Sequence, residues 1–111
     1  MSRLVIRGGS TLNGEVPISG SKNSALAIMV ANALSREESV LENVPMDMDV
    51  LTMALILRRL GAGVWFDNEK RLHIKAEQIT STKAPYELVR MMRASFYVAG
   101  LLLAREKRAE V

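Results

Sequence analysis

The pattern changes from extended to helical at Ile18-Ser-Gly-Ser-Lys-Asn-Ser-Ala-Leu26, and that junction constrains the fold more than any other stretch. Gly20 permits a tight turn and Ser21 is a favoured helix cap. From Asn23 to Leu34, apolar residues at Leu26, Met29, Val30, Ala33 and Leu34 then keep helical spacing. A helix N-terminus carries partial positive charge and unpaired N–H groups. Lys22 adds a cation where one is locally unfavourable, an arrangement that makes sense if an anion binds between the two. On these residues alone, a solvated Lys behind an ordinary Ser cap is the simpler account.

The rest of the chain alternates short extended and helical patterns. Leu4-Val-Ile6 and Glu15-Val-Pro-Ile18 read as strands around Gly8-Gly9 and Asn13-Gly14. The second belongs at a sheet edge, or starts late, because Pro17 has no N–H to donate. Ser39-Val-Leu-Glu42 is a third short strand, ended by Asn43 and Pro45. Asp47 or Asp49 caps a second helix that runs to Leu60, where Gly61 stops it. Gly63-Val-Trp-Phe66 and Arg71-Leu-His-Ile74 alternate around Asp67-Asn-Glu-Lys70 as a hairpin. Pro85 opens a third helix with Leu88, Met92, Phe96, Ala99 and Leu103 along one face. The fold class is therefore α+β. Residues 14–75 form a β-α-β-α-β-β module, followed by the helical residues 84–111, within a single domain spanning residues 1–111. Leu34-Ser-Arg-Glu37 recurs as Leu103-Ala-Arg-Glu106, an echo that chance produces as readily as duplication.

Composition removes several function classes. The formal charge of +3 suits a small anionic ligand but lacks the clustered basic face of a nucleic-acid binder. Arg105-Glu-Lys-Arg108 reads as a solvated helix end, with cations favoured there by the helix dipole. The absence of Cys excludes disulfides and thiolate metal sites, and a lone His73 offers no metal-ligand set. Ala94–Ala104, the longest apolar run, is interrupted by Ser95 and Gly100 and is far short of the roughly 20 residues that span a bilayer. Met1-Ser-Arg-Leu-Val-Ile-Arg7 lacks the apolar core of a signal peptide, so a cytoplasmic location is expected.

Gly14-Glu-Val-Pro-Ile-Ser-Gly-Ser-Lys-Asn-Ser-Ala-Leu26 resembles the opening of the enolpyruvyl transferases that act on UDP-N-acetylglucosamine, the UDP-N-acetylglucosamine 1-carboxyvinyltransferases. The likeness continues through Leu41-Glu-Asn-Val-Pro45, Asp49-Val-Leu-Thr-Met53, Leu60-Gly-Ala-Gly63, Ala84-Pro-Tyr-Glu-Leu-Val89 and Met92-Arg-Ala-Ser95, in the family's order. The sister 5-enolpyruvylshikimate-3-phosphate synthases share the Gly-Ser-Lys but typically continue with Ser, whereas Asn23 follows Lys22 here. The resemblance implies repeated modules assembled as an inside-out α/β barrel, helices inside and sheets outside, of which this chain would hold one, residues 14–75, and the start of the next, residues 84–111. It implies transfer of the enolpyruvyl group of phosphoenolpyruvate to the 3-hydroxyl of UDP-N-acetylglucosamine, a step in peptidoglycan precursor synthesis that needs no cofactor.

By the same resemblance Lys22 and Asn23 contact phosphoenolpyruvate and the sugar nucleotide, and Arg93 contacts the sugar nucleotide. On its own residues Arg93 reads as an ordinary surface Arg, Arg90 as exposed, and Asp47 and Asp49 as helix caps. No catalytic residue is expected within this chain. The family's loop acid, a Cys or an Asp, belongs beyond Val111, so the 111-residue chain alone is expected to be inactive and truncated relative to the family. Self-association, or disorder beyond Leu103, is expected where apolar surface has no cover. A stand-alone non-enzymatic module and a fragment of the shikimate-pathway sister remain as alternatives.

Overall fold

The computed structural model describes residues 2–111, and its regular elements begin at the Gly-Ser-Lys junction. Helix α1 (Lys22–Asn32) leads to strand β1 (Glu38–Leu41), helix α2 (Met48–Leu60) and a hairpin of β2 (Gly63–Phe66) and β3 (Leu72–Lys75). A short α3 (Tyr86–Val89), a 3₁₀ turn (Arg93–Tyr97) and α4 (Val98–Glu106) complete the chain. The sheet is antiparallel in the order β1-β3-β2, with β3 at its centre. Mixed helix and strand make the fold α+β.

Ala25, Leu26, Met29 and Val30 form the buried stripe of α1, which packs on α2, β3, the 3₁₀ turn and α4. Opposite it, α2 buries Val50, Met53, Ala54, Ile56, Leu57 and Leu60. Asp47 caps α2, its Oδ1 accepting from the N–H groups of Asp49 (3.0 Å) and Val50 (3.1 Å). Gly61 ends the helix at φ +117°, where a side chain would be strained and would strike the Thr80 backbone nitrogen at 2.7 Å. The sheet turns Val64, Leu72 and Ile74 inward against these helices.

Two expectations fail. Leu4–Ile6 and Glu15–Ile18 form no strand, and their apolar side chains are exposed, Leu4 at 84% and Ile18 at 80%. The residue pattern for a strand is present, but a strand exists only by pairing, and neither segment pairs with this sheet. The first strand of the expected β-α-β-α-β-β order is thus absent among the described residues.

The third helix is also not continuous. Met92 is extended (φ −156°, ψ 146°), breaking the run into α3, the 3₁₀ turn and α4. The buried Ser95 hydroxyl lies 2.8 Å from the Val89 carbonyl and 2.6 Å from that of Met92, donating to one at a time. It thereby satisfies acceptors that a straight helix would have used internally. The register of burial changes with the break: Val98, Leu101 and Leu102 are buried, while Phe96 and Leu103 are exposed. Beyond Leu103 the chain stays tied, because Glu110 N donates to Thr82 O and Ala84 N to Glu110 O, both at 2.8 Å.

On the outer face of the sheet, His73 lies under Trp65, the rings stacked 5.1 Å apart at 9°. His73 Nε2 is 2.8 Å from Asp67 Oδ2, and Nδ1 faces Glu38 Oε2 at 3.5 Å. Asp67 also accepts from the N–H groups of Glu69 and Arg71 and pairs with the Arg71 side chain. The hydrogen bond that His73 donates to Asp67, reinforced by Glu38, raises the His73 pKa above 6.5 despite partial burial. The bond to His73, with the Arg71 N–H next, holds Asp67 far below the usual carboxylate range. The His73 contribution to stability is therefore fully present below pH 6.5 and lost as pH rises through its raised folded-state value. The Asp67 contribution survives to lower pH and is lost only as pH falls through its depressed value. His73→Gln should thus lower the thermal unfolding midpoint clearly at about pH 6 and much less at about pH 9. Equal losses at both would show that the charge on His73 is irrelevant.

Candidate functional site

The first turn of α1 contains no acidic residue to complement the helix dipole. Ser21 caps it, Oγ accepting from Ser24 N at 3.3 Å, and Lys22 follows directly. The first turn of α2 lies alongside, and its Asp49 places Oδ2 3.0 Å from Lys22 Nζ. The hydrogen bond to Asp49, then its charge, raises the Lys22 pKa above 10.5, so Lys22 is cationic at neutral pH. Two positive helix ends and an ammonium thus converge, and Asp49 is the anion between them in the chain by itself. Both partners remain partly exposed, so this pair is a positioning contact open to competition from a stronger anion, such as a phosphate.

The approach to α1 is held from the side by Asn43, which is left-handed at φ +56°. Its carbonyl accepts from Gly20 N at 3.1 Å and its Nδ2 donates to Ile18 O at 3.2 Å. A Cβ on Gly20 would sit 2.2 Å from that carbonyl. Gly20 is required by this close approach, and its φ lies outside the left-handed region that a tight turn would have used.

Lys22 and Asn23 from α1, Asp49 from α2 and Arg93 from the 3₁₀ turn line one open groove of about 500 Å³, floored by Leu26 and walled by Met92, Phe96 and Tyr97. The fold therefore brings together all three residues singled out in the sequence, although Arg93 lies far along the chain from the other two. Arg93 opens the 3₁₀ turn directly after the extended Met92. Arg90 is exposed on the other side of the break and does not line the groove. The meeting of Asp49 with Lys22 is not visible in the residue pattern, because that pairing depends on two helix ends lying side by side. Arg105, expected to be solvated, is half-buried and donates to the carbonyls of Ala33 (3.0 Å), Ala76 and Glu77 (3.2 Å).

Chemically, the groove offers two cations, one carboxylate, one amide and a hydrocarbon floor, a set whose chemistry suits an anionic ligand able to displace Asp49 from Lys22. It contains no evident nucleophile or paired general acid and base. Gly20→Ala should displace Asn43 and the α1 cap together, costing about 1–3 kcal/mol in denaturant unfolding. An unchanged midpoint would mean that the Gly20–Asn43 contact positions nothing.

Residues 6–111 match the family model described as EPSP synthase (3-phosphoshikimate 1-carboxyvinyltransferase). The chain is 54% identical over its whole length to the UDP-N-acetylglucosamine 1-carboxyvinyltransferase of Thermotoga petrophila, and 53% identical to that of Thermotoga maritima. It spans 26% of the length of each. Among solved structures, the enolpyruvyl transferase NikO from Streptomyces tendae superimposes with a TM-score of 0.77 at 27% identity, covering 89% of this chain and 23% of NikO. With the match extending from Ile6 to Val111, the chain belongs to the EPSP synthase (3-phosphoshikimate 1-carboxyvinyltransferase) family.

Proposed function

We propose that this chain supplies the N-terminal, ligand-contacting part of a transferase that moves the enolpyruvyl group of phosphoenolpyruvate to the 3-hydroxyl of UDP-N-acetylglucosamine. The observation that carries this reading is the convergence of Lys22, Asn23 and Arg93 on one groove in a chain 54% identical to enzymes of that name. Lys22 exchanges Asp49 for a substrate phosphate or carboxylate, Asn23 orients a polar group through its amide, and Arg93 grips a phosphate of the sugar nucleotide. Residues 14–75 act as one module and 84–111 as the start of another. The groove is open and holds no acid–base pair, so turnover requires further parts of the kind its longer relatives contain. Peptidoglycan precursor synthesis in the cytoplasm, and through it cell shape and division, belongs to the same reading.

The test is a chimera in which this segment replaces the matching segment of the Thermotoga maritima relative. Turnover should be retained, and Lys22→Ala should lower it by roughly a hundredfold or more. Arg93→Ala should chiefly weaken UDP-N-acetylglucosamine, seen as a raised KM. An active chimera indifferent to Lys22→Ala would overturn the assignment of the anion site.

Self-association of the chain is part of the proposal, favoured by the exposed Leu4, Val5, Ile6, Leu12, Val16 and Ile18. Sedimentation of the 111-residue chain should reveal species larger than 12.3 kDa that revert to monomer when Leu4 and Ile6 are changed to Ser. A monomer at all concentrations would remove it.

A further inference from the structure

We propose that Arg105 is the positioning residue of the groove: its guanidinium fixes how far the segment carrying Arg93 can slide along α1, and so sets the spacing between Arg93 and Lys22. Two rods lie side by side. Helix α1 has Lys22 at one end and its cap, Ala33, at the other. The 3₁₀ turn and α4 begin at Arg93 and end at Glu106, with Arg105 in the last turn. Each rod thus carries a groove residue at its first end and one side of the Arg105–Ala33 contact at its other.

What holds the rods laterally is apolar. Val98, Leu101 and Leu102 of α4 are buried, as are Leu26, Met29 and Val30 of α1. Such contacts are non-directional and leave helices free to slide by small amounts. Arg105 is the element that resists sliding. Nη1 donates to Ala33 O at 3.0 Å and to Ala76 O, and Nη2 donates to Glu77 O at 3.2 Å. Ala33 O lies at the negative end of the α1 dipole, among carbonyls a helix leaves without internal partners. Ala76 is fully buried just after β3, so the tie reaches the sheet as well as the helix. A planar fork of fixed donors meeting three fixed acceptors defines one axial position. Among the described residues, no other side chain of α4 hydrogen-bonds to α1.

The consequence for ligands rests on the proposed function above, but the geometry does not. The chain has no Cys, so Cys introduced at Ala27 and Gly100 carries a specific spin-label pair across the rods. Ala27 is exposed and a Cβ on Gly100 meets nothing within 4 Å. Arg105→Met keeps the aliphatic stem and removes the donors. It should shift the inter-label distance by about 1–2 Å or broaden it visibly, with helix content retained. Arg105→Lys, which cannot reach all three carbonyls, should fall between, and it decides the matter if Arg105→Met does not fold.

UDP-N-acetylglucosamine binding should weaken about tenfold in Arg105→Met, and that loss should shrink when Arg93 is already Ala. An unchanged distance distribution with only a lower unfolding midpoint would overturn the proposal, making Arg105 a fold staple. If the wild-type chain binds no UDP-N-acetylglucosamine, the failure falls on the functional reading, and the distances still decide the role of Arg105.

Discussion

Burial of one stripe of α1 organises the chain. Ala25, Leu26, Met29 and Val30 are the surface on which α2, β3, the 3₁₀ turn and α4 converge. Removing those side chains, and the facing ones of α2, the sheet and α4, from water drives assembly, at roughly 1.5–3 kcal/mol for each large one fully buried. Direction comes from polar contacts at the two ends of the helix. At its N-terminus Asn43 clamps Gly20 and Asp49 meets Lys22. At its C-terminus Arg105 meets Ala33. The groove is a by-product of this arrangement: it opens where the first turns of α1 and α2 meet the start of the 3₁₀ turn.

The chemistry of the groove follows from a frustrated helix end. A Lys in the first turn of α1 is locally disfavoured, and the chain compensates with an Asp from the neighbouring helix. That compensation is exposed and exchangeable, unlike the ties made by Arg105 to the carbonyls of the buried Ala33 and Ala76. A ligand phosphate offers more acceptors and more charge than one carboxylate. In the proposed function the ion pair is therefore a resting contact for Lys22, and Arg93 is a second grip on the same ligand.

Much of this was legible in the residues, for identifiable reasons. Helix α2 is bounded by Asp47 and Gly61, whose roles are local and follow from side-chain and backbone preferences. The hairpin was legible because Asp67 organises its own turn, accepting from two backbone N–H groups that follow it. The segments 4–6 and 15–18 misled because alternation describes a strand's faces and says nothing about its partner. The third helix misled because a helical period persists through residues 85–103, while the break depends on where Ser95 finds acceptors. Lys22, Asn23 and Arg93 were reached through motif resemblance. Asp49 and Arg105 were not, since each acts across elements far apart in the chain, where no local pattern reports the contact.

The most direct test of the central claim, that one α1-based frame gathers the three residues into a working anion groove, is titration of the isotopically labelled chain with UDP-N-acetylglucosamine, followed by amide chemical shifts. The account predicts saturable shifts at Lys22, Asn23, Asp49 and Arg93, with Trp65 and His73 on the outer sheet face unmoved. Shifts that centre on the sheet, or none at ligand concentrations that saturate the longer relatives, would contradict it.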